Sequence, residues 1–266
     1  MLRLTAQVKL QPTPEQYDLL RSTLQQANAA CNTISQVAWS ERAFRRVPLH
    51  KLVYHDMRDA YGLSAQVVVR CIGKVVEAYQ LDRRTARTFR PDGAIAYDSR
   101  ILSWNPQARS VSIWLLGGRQ TIAFSAGERA LALLQTQRGE SDLCLVEGAF
   151  YLYATCAVET PTPQEVDTFL GVDLGVKNVA VDSDGEAYAP PDAHVNTVRH
   201  RYRRLRAKLQ AKGTKSAKRL LKKRRRKESR FARNTNHCIS KRIVAKAQDS
   251  ARGIALEALG GIRARA

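Results

Sequence analysis

The sequence predicts an α+β protein of more than one domain. Three observations lead there. A run that alternates apolar and polar residues opens the chain, helical periodicity follows to about residue 90, and short turn-punctuated strands then take over. Past the Pro-rich stretch "TPTPQEVDT", residues 160–168, a second pattern begins that reads β-β-β-α-α-α-β.

"LRLTAQVKL" alternates strictly, so residues 2–10 form a strand. In "PTPEQ", Thr13 caps a helix, Pro14 suits its first position and Gln16 completes a capping box. Leu20, Leu24, Ala27, Cys31, Ile34 and Ala38 recur at helical spacing and carry that helix to about residue 40. A short helix over about 49–60 ends at Gly62. Ser64 caps a third helix with Val67, Val68, Cys71, Ile72, Val75, Val76 and Tyr79 on one face. From "RPDGAIAYDSR" onward, segments 94–98, 100–104, 111–116 and 119–124 read as short strands. A helix near 127–136 and two strands hinged at Gly148 follow. The whole is an antiparallel β unit that the opening strand joins, with the helices inserted after that strand.

Beyond the linker, strands are expected at about 169–174, 177–182 and 186–189, the last two joined by "DSDG". Val195, Val198, Tyr202, Leu205 and Leu209 form a helical stripe that faces a core, ended by "KGT" at 212–214. A second basic helix is expected over about 216–232, a third from Asn236 to Asp249, and a last strand at "IALEAL". Tyr202 and Phe231 lie among basic groups. Base stacking is open to them, but packing onto the sheet is the expectation.

Charge is unevenly placed. The net charge is +20, and the segment Arg199–Arg233 holds 18 Lys or Arg against one acid, Glu228, so it carries +17 of that total. Solvated charge runs on ordinary surfaces mix signs, whereas this excess calls for a polyanion, and nucleic acid before a membrane. The candidate contacts are Arg199, Arg203, Arg204, Arg206, Lys208, Lys212, Lys215, Lys218, Arg219, Lys222, Lys223, Arg224, Arg225, Arg226, Lys227 and Arg230. No run approaches a membrane span, and "MLRLTAQVKL" lacks the features of a signal peptide. The five cysteines are scattered without a CxxC. That pattern offers neither a disulfide framework nor a zinc site, and fits free thiols in a reducing cytoplasm.

Two acids stand in apolar strands. Gly171, Asp173 and Gly175 share one face of the first strand after the linker, with Leu170, Val172 and Leu174 on the other. Glu257 repeats the pattern beside Ile254 and Leu256. A carboxylate buried without a partner is costly, so each needs a metal, a cation or a hydrogen-bond network. Two carboxylates on neighbouring strands begin a magnesium site. Pairing of Asp173 with a local cation such as Lys177 is the plainer alternative, and a structural Glu257 likewise.

"GVDLGVKNVAVDSDG", "RYRRLRAKLQ", "KGTKSAKRLLKKRRRKESRF", "NHCISKRIVAKA" and "IALEALGGIR" resemble the RuvC-like domain of the TnpB family of insertion-sequence proteins. That family, also termed OrfB and described as probable transposases, is similar to an ancestor of the type V CRISPR effectors. "LTAQVKLQPTPEQ" and "LSAQVVVRCIGKVVEAY" fit its amino-terminal part. The resemblance implies a β-barrel wedge (1–12 and 91–160), an inserted helical lobe (13–90), a linker (161–168) and an RNase H-like RuvC domain (169–266). It implies an RNA-guided, magnesium-dependent DNA endonuclease of the bacterial cytoplasm that follows the nucleoid when bound to DNA. Guide RNA and target DNA are its partners, and base pairing carries most of the specificity. Asp173 takes the place of the first catalytic acid and magnesium ligand, and Glu257 the second. The resemblance also implies a third acid on a later helix and a zinc ribbon of paired CxxC motifs. The chain ends nine residues after Glu257 and has no CxxC, and Asp182 and Asp184 are poor substitutes. The expectation is an incomplete RuvC domain without zinc and without cleavage activity. A non-catalytic guide-RNA and DNA-binding regulator is the alternative.

Overall fold

The computed structural model describes residues 1–160, 162, 165–175, 179–188 and 195–257, among which it shows a mixed α/β protein with six helices. The chain divides into two compact units, Met1–Pro161 and Thr162–Ala266.

The first unit opens with β1 (Leu2–Gln11), whose alternation buries Ala6, Val8 and Leu10. Helix α1 (Pro14–Ser40) starts as its sequence dictates. The Thr13 hydroxyl accepts from the Gln16 amide at 3.2 Å, and the Gln16 side chain accepts from the Thr13 amide at 3.2 Å. Helix α2 (Arg46–Tyr61) begins earlier than its apolar spacing suggests and stops at Gly62, whose φ of 57° is the left-handed conformation that glycine tolerates. Helix α3 (Ala65–Leu81) is capped by Ser64 and buries the seven-residue stripe read from its sequence. Short strands β2 (Ile95–Tyr97) and β3 (Leu102–Asn105) follow, then β4 (Ser110–Leu115) and β5 (Gly118–Ser125), the short helix α4 (Glu128–Leu134), β6 (Gln137–Val146) and β7 (Ala149–Val158).

The strands make one antiparallel sheet in the order β2-β6-β7-β1-β5-β4-β3. Its ends approach each other, because the Trp104 indole of β3 donates to the Ser141 hydroxyl of β6 at 3.3 Å. The sheet is thus nearly closed, which removes most of its free edge. Strand β6 starts four residues before the alternating run at Ser141, through a bulge that Gly139 permits with φ 96°. Buried polar groups on α1 fasten the segment leading into β2. Asn28 donates to the carbonyls of Pro91 and Gly93, Asn32 exchanges two hydrogen bonds with Phe89, and Ser35 donates to Arg87. Cys31, Cys71 and Cys156 are buried and Cys144 half-buried, all as free thiols.

In the second unit, β8 (Phe169–Asp173), β9 (Ala180–Asp182) and β10 (Ala187–Tyr188) form an antiparallel meander. Helix α5 (Val195–Lys212) and helix α6 (Lys215–Asp249) come next, then β11 (Gly253–Leu256), which adds parallel to β8. The sheet order is β10-β9-β8-β11. Expected strand residues 177–178 and 189, and those from 258 onward, lie outside the described residues, as does Lys177.

The two helices expected over 216–232 and 236–249 are one continuous helix of 35 residues. Asn234, Thr235 and Asn236 are weak helix formers, but propensity costs only a few tenths of a kcal/mol per residue. The inward stripe Phe231, Thr235, Cys238, Ile239 runs through them without a phase break, and Thr235 is buried. Ile239, Ile243 and Ala247 then pack on Leu170, Val172, Ala180 and Tyr188 to make this unit's core. That core stops short of β11, where Ile254 is 37% and Leu256 62% exposed. Among the described residues, no helix is long and apolar enough to cross a membrane.

Candidate nucleic-acid interface and carboxylate cleft

Gly213, with φ 61°, turns the chain between α5 and α6, and the Thr214 hydroxyl caps α6 by accepting from the Ala217 amide at 3.2 Å. The helices run back antiparallel, because Arg206 meets Glu228 at 3.3 Å and Tyr202 meets Phe231 edge-on at 6.4 Å. Val198, Tyr202, Leu205 and Leu209 face Ala217, Leu221, Arg224, Glu228 and Phe231 at alternating three- and four-residue steps, the spacing of an antiparallel helical hairpin. The α5 stripe therefore packs on α6 and not on the sheet. Tyr202 and Phe231 likewise fill this seam instead of packing onto the strands, because the first five turns of α6 lie ahead of its sheet-facing residues.

At a rise of about 1.5 Å per residue, α6 is about 52 Å long. Only its last third is in the sheet core. The rest, with α5, is an arm, and all sixteen candidate contact residues lie on it. Fifteen are exposed. Arg224 is half-buried in the seam, its Nε shielded and without a hydrogen bond. The one acid of the segment, Glu228, is drawn into the seam by Arg206, so the arm's outer surface is almost uniformly positive.

The parallel pairing of β11 with β8 sets Leu256 opposite Val172. The next residue on each strand is Glu257 and Asp173, so acids 84 residues apart in sequence stand side by side at the carboxyl ends of parallel strands. Crevices at such ends are where open α/β sheets bind ligands. Both acids are exposed rather than buried, because Asp173 is the last residue of β8 and Glu257 lies just past the end of β11, and both open into a shallow cleft of about 560 Å³. The hydrogen bond with Asp173, and then its charge, raise the Glu257 carboxyl above the ordinary glutamate range. Among the described residues, no Lys or Arg lines the cleft to neutralise the pair. Gly171, on the same face, lies against Ser183. Its amide donates to the Ser183 hydroxyl at 3.2 Å, and a Cβ there would meet the Ser183 Cβ at 3.6 Å.

A second charged group escaped the sequence reading. Lys246 of α6 reaches Asp182 at 2.5 Å, and Asp184 and Glu186 at 3.2 Å each. Arg252 grips Asp184 at 2.6 and 2.9 Å, and Arg242 meets Glu186 at 2.8 Å. Burial acts to raise the Asp182 carboxyl, but bonds from Lys246, Tyr188 and the Glu186 amide outweigh it and hold the group down at about 2. Bonds from Arg252 and Lys246 hold Asp184 lower still. The sequence signal was acids at every second position of "DSDGE" with bases four apart at 242 and 246.

Because the folded value for Asp182 lies below the ordinary 3.8, its contribution to stability is complete above about 3.8 and is lost as pH falls toward about 2. The stability difference between wild type and Asp182→Asn is therefore expected to be full at about pH 5 and to shrink across that window. Urea unfolding at a series of pH values reads it, and a difference independent of pH contradicts it.

Among the described residues, no group of three or more His, Cys, Asp or Glu is placed to hold a metal ion. The donor set at the cleft is two adjoining carboxylates, which suits a hard divalent cation that keeps most of its waters. Residues 153–252 match a family model, OrfB_IS605, described as a probable transposase. No curated protein matches the chain.

Proposed function

We propose that this chain, which belongs to the OrfB_IS605 probable-transposase family, is a transposon-encoded protein that binds guide RNA and target DNA through the α5–α6 arm and a divalent cation between Asp173 and Glu257. The observation that carries this reading is the strand register that brings those two acids together on a sheet braced by the arm's own helix. The meander with a fourth strand parallel to its first supports an RNase H-like, RuvC-type reading of the second unit.

In the proposed mechanism the arm's exposed guanidinium and ammonium groups neutralise backbone phosphates, which gives affinity without reading sequence. Sequence choice is left to base pairing with the guide. Asp173 and Glu257 would hold the cation between them, its charge offsetting that of the adjoining carboxylates. Magnesium, when bound there, supplies polarisation of a phosphoryl oxygen and activation of water.

Two carboxylates hold such an ion weakly, and we expect residues 1–266 with a transposon-end RNA to bind matching DNA without cutting it. A gel assay of a labelled target with and without magnesium tests this. Magnesium-dependent cleavage that disappears in Asp173→Ala would overturn it. The absence of a three-donor group among the described residues favours a second reading, a regulator that binds nucleic acid and leaves the cleft idle. Under that reading Asp173→Asn changes neither cation nor nucleic-acid binding.

A further inference from the structure

Asp182 and Ser183 are neighbours on one strand end but face opposite ways. The pairing of Val172 with Asp182, and of Asp173 with Val181, puts Asp182 on the α6 side of the sheet and Ser183 on the cleft side. On the helix side, the Asp182 carboxylate is fully enclosed. It accepts from Lys246 at 2.5 Å, Tyr188 at 2.7 Å, and the amides of Glu186 at 2.9 Å and Asp184 at 3.0 Å. On the cleft side, Ser183 is tied to Gly171 twice, donating its amide at 2.8 Å and accepting at its hydroxyl at 3.2 Å. Gly171 is two residues before Asp173 on the same face, so Ser183 packs beside the strand position next to Asp173, within 3.6 Å of where a Cβ at 171 would stand.

Lys246 is more than one arm of an ion pair. Its ammonium sits among three carboxylates of a single turn, Asp182, Asp184 and Glu186, which would repel one another without it. Arg252, just before β11, holds the same turn through Asp184. The turn is therefore held from α6 and from the entry to the strand that leads to Glu257.

We infer that Lys246 is a positioning residue for the carboxylate cleft: by fixing the Asp182–Glu186 turn it sets Ser183 against Gly171 and so fixes where Asp173 stands relative to Glu257. This rests on the cation-site reading above. Partners behind metal ligands act in this way, orienting groups they do not replace.

The test is Mn²⁺ binding to the full chain, read by electron paramagnetic resonance of the free ion, with folding and melting followed by circular dichroism. Lys246→Met is expected to weaken Mn²⁺ binding by about tenfold or more, and Lys246→Arg to recover most of that loss. Ser183→Ala is expected to weaken it with the melting temperature nearly unchanged, which a purely structural role for the cluster would not produce. If folded Lys246→Met binds Mn²⁺ as the wild type does, the inference fails. Should Lys246→Met not fold, undiminished binding by Ser183→Ala overturns it equally. Wild-type binding that is lost in Asp173→Asn but kept in both of these variants leaves the cation site standing and removes only the role of Lys246. A wild type that binds no Mn²⁺ removes both.

Discussion

Replacing Lys222, Lys223, Arg225 and Lys227 by Gln is expected to weaken binding to guide RNA and to duplex DNA alike and to flatten the dependence on salt. All four are exposed on α6, Lys223 and Lys227 clear of the groove between the helices and Lys222 and Arg225 at its edge. Lys and Gln have similar helix propensities, so the arm's helicity should survive. If the arm neutralises about six phosphates, wild-type affinity falls roughly 10³-fold between about 50 and 200 mM salt, because released counterions set the slope. Each phosphate contact removed lowers that slope by about one. Loss should be uniform across scrambled sequences, since Tyr202 and Phe231, the aromatic pair of the segment, are engaged with each other and not offered to bases. Fluorescence anisotropy at several salt concentrations reads both quantities. A flat salt response in the wild type would remove the arm from the interface.

What the sequence could show was local. The capping box at Thr13 and Gln16, the cap at Ser64, the stop at Gly62 and the alternation of β1 each depend on residues a few positions apart, and each takes the structure its neighbours dictate. The errors came where a distant partner decides. Asn234–Asn236 reads as a break by propensity, but packing along one continuous stripe carries α6 through it. Tyr202 and Phe231 read as sheet-facing aromatics until the hairpin brings them together. The start of β6 was hidden because the bulge at Gly139 interrupts alternation.

The candidate site divides the same way. Alternation puts Asp173 on the face opposite Leu170 and Val172 from sequence alone. That Glu257 stands beside it depends on a parallel register between strands 84 residues apart, which no local pattern encodes. The same pattern suggested buried acids, whereas strand ends expose them. The cluster around Lys246 needed the fold, because its acids and bases come from a turn and a helix some sixty residues apart.

Asp173→Asn is expected to reverse sign with magnesium. Without metal, two carboxylates stand side by side and repel when both are charged. A neutral amide at 173 relieves that, so the variant should melt at or above the wild-type temperature in chelator. With magnesium in about tenfold excess over its dissociation constant, the wild type should gain about 3–6 °C while the variant gains almost nothing, because binding to the folded state alone raises stability. Glu257→Gln should behave alike, since each acid supplies half of the donor set. Substitution of an acid that served only to brace the fold would instead lower the melting temperature with and without metal.

The most direct measurement is therefore a thermal melt of wild type and Asp173→Asn at about pH 8, in chelator and in magnesium. The cation site predicts that magnesium raises the wild-type melting temperature and leaves the Asp173→Asn value where the chelator left it. An equal rise in both proteins, or no rise in either, contradicts a divalent cation held between Asp173 and Glu257.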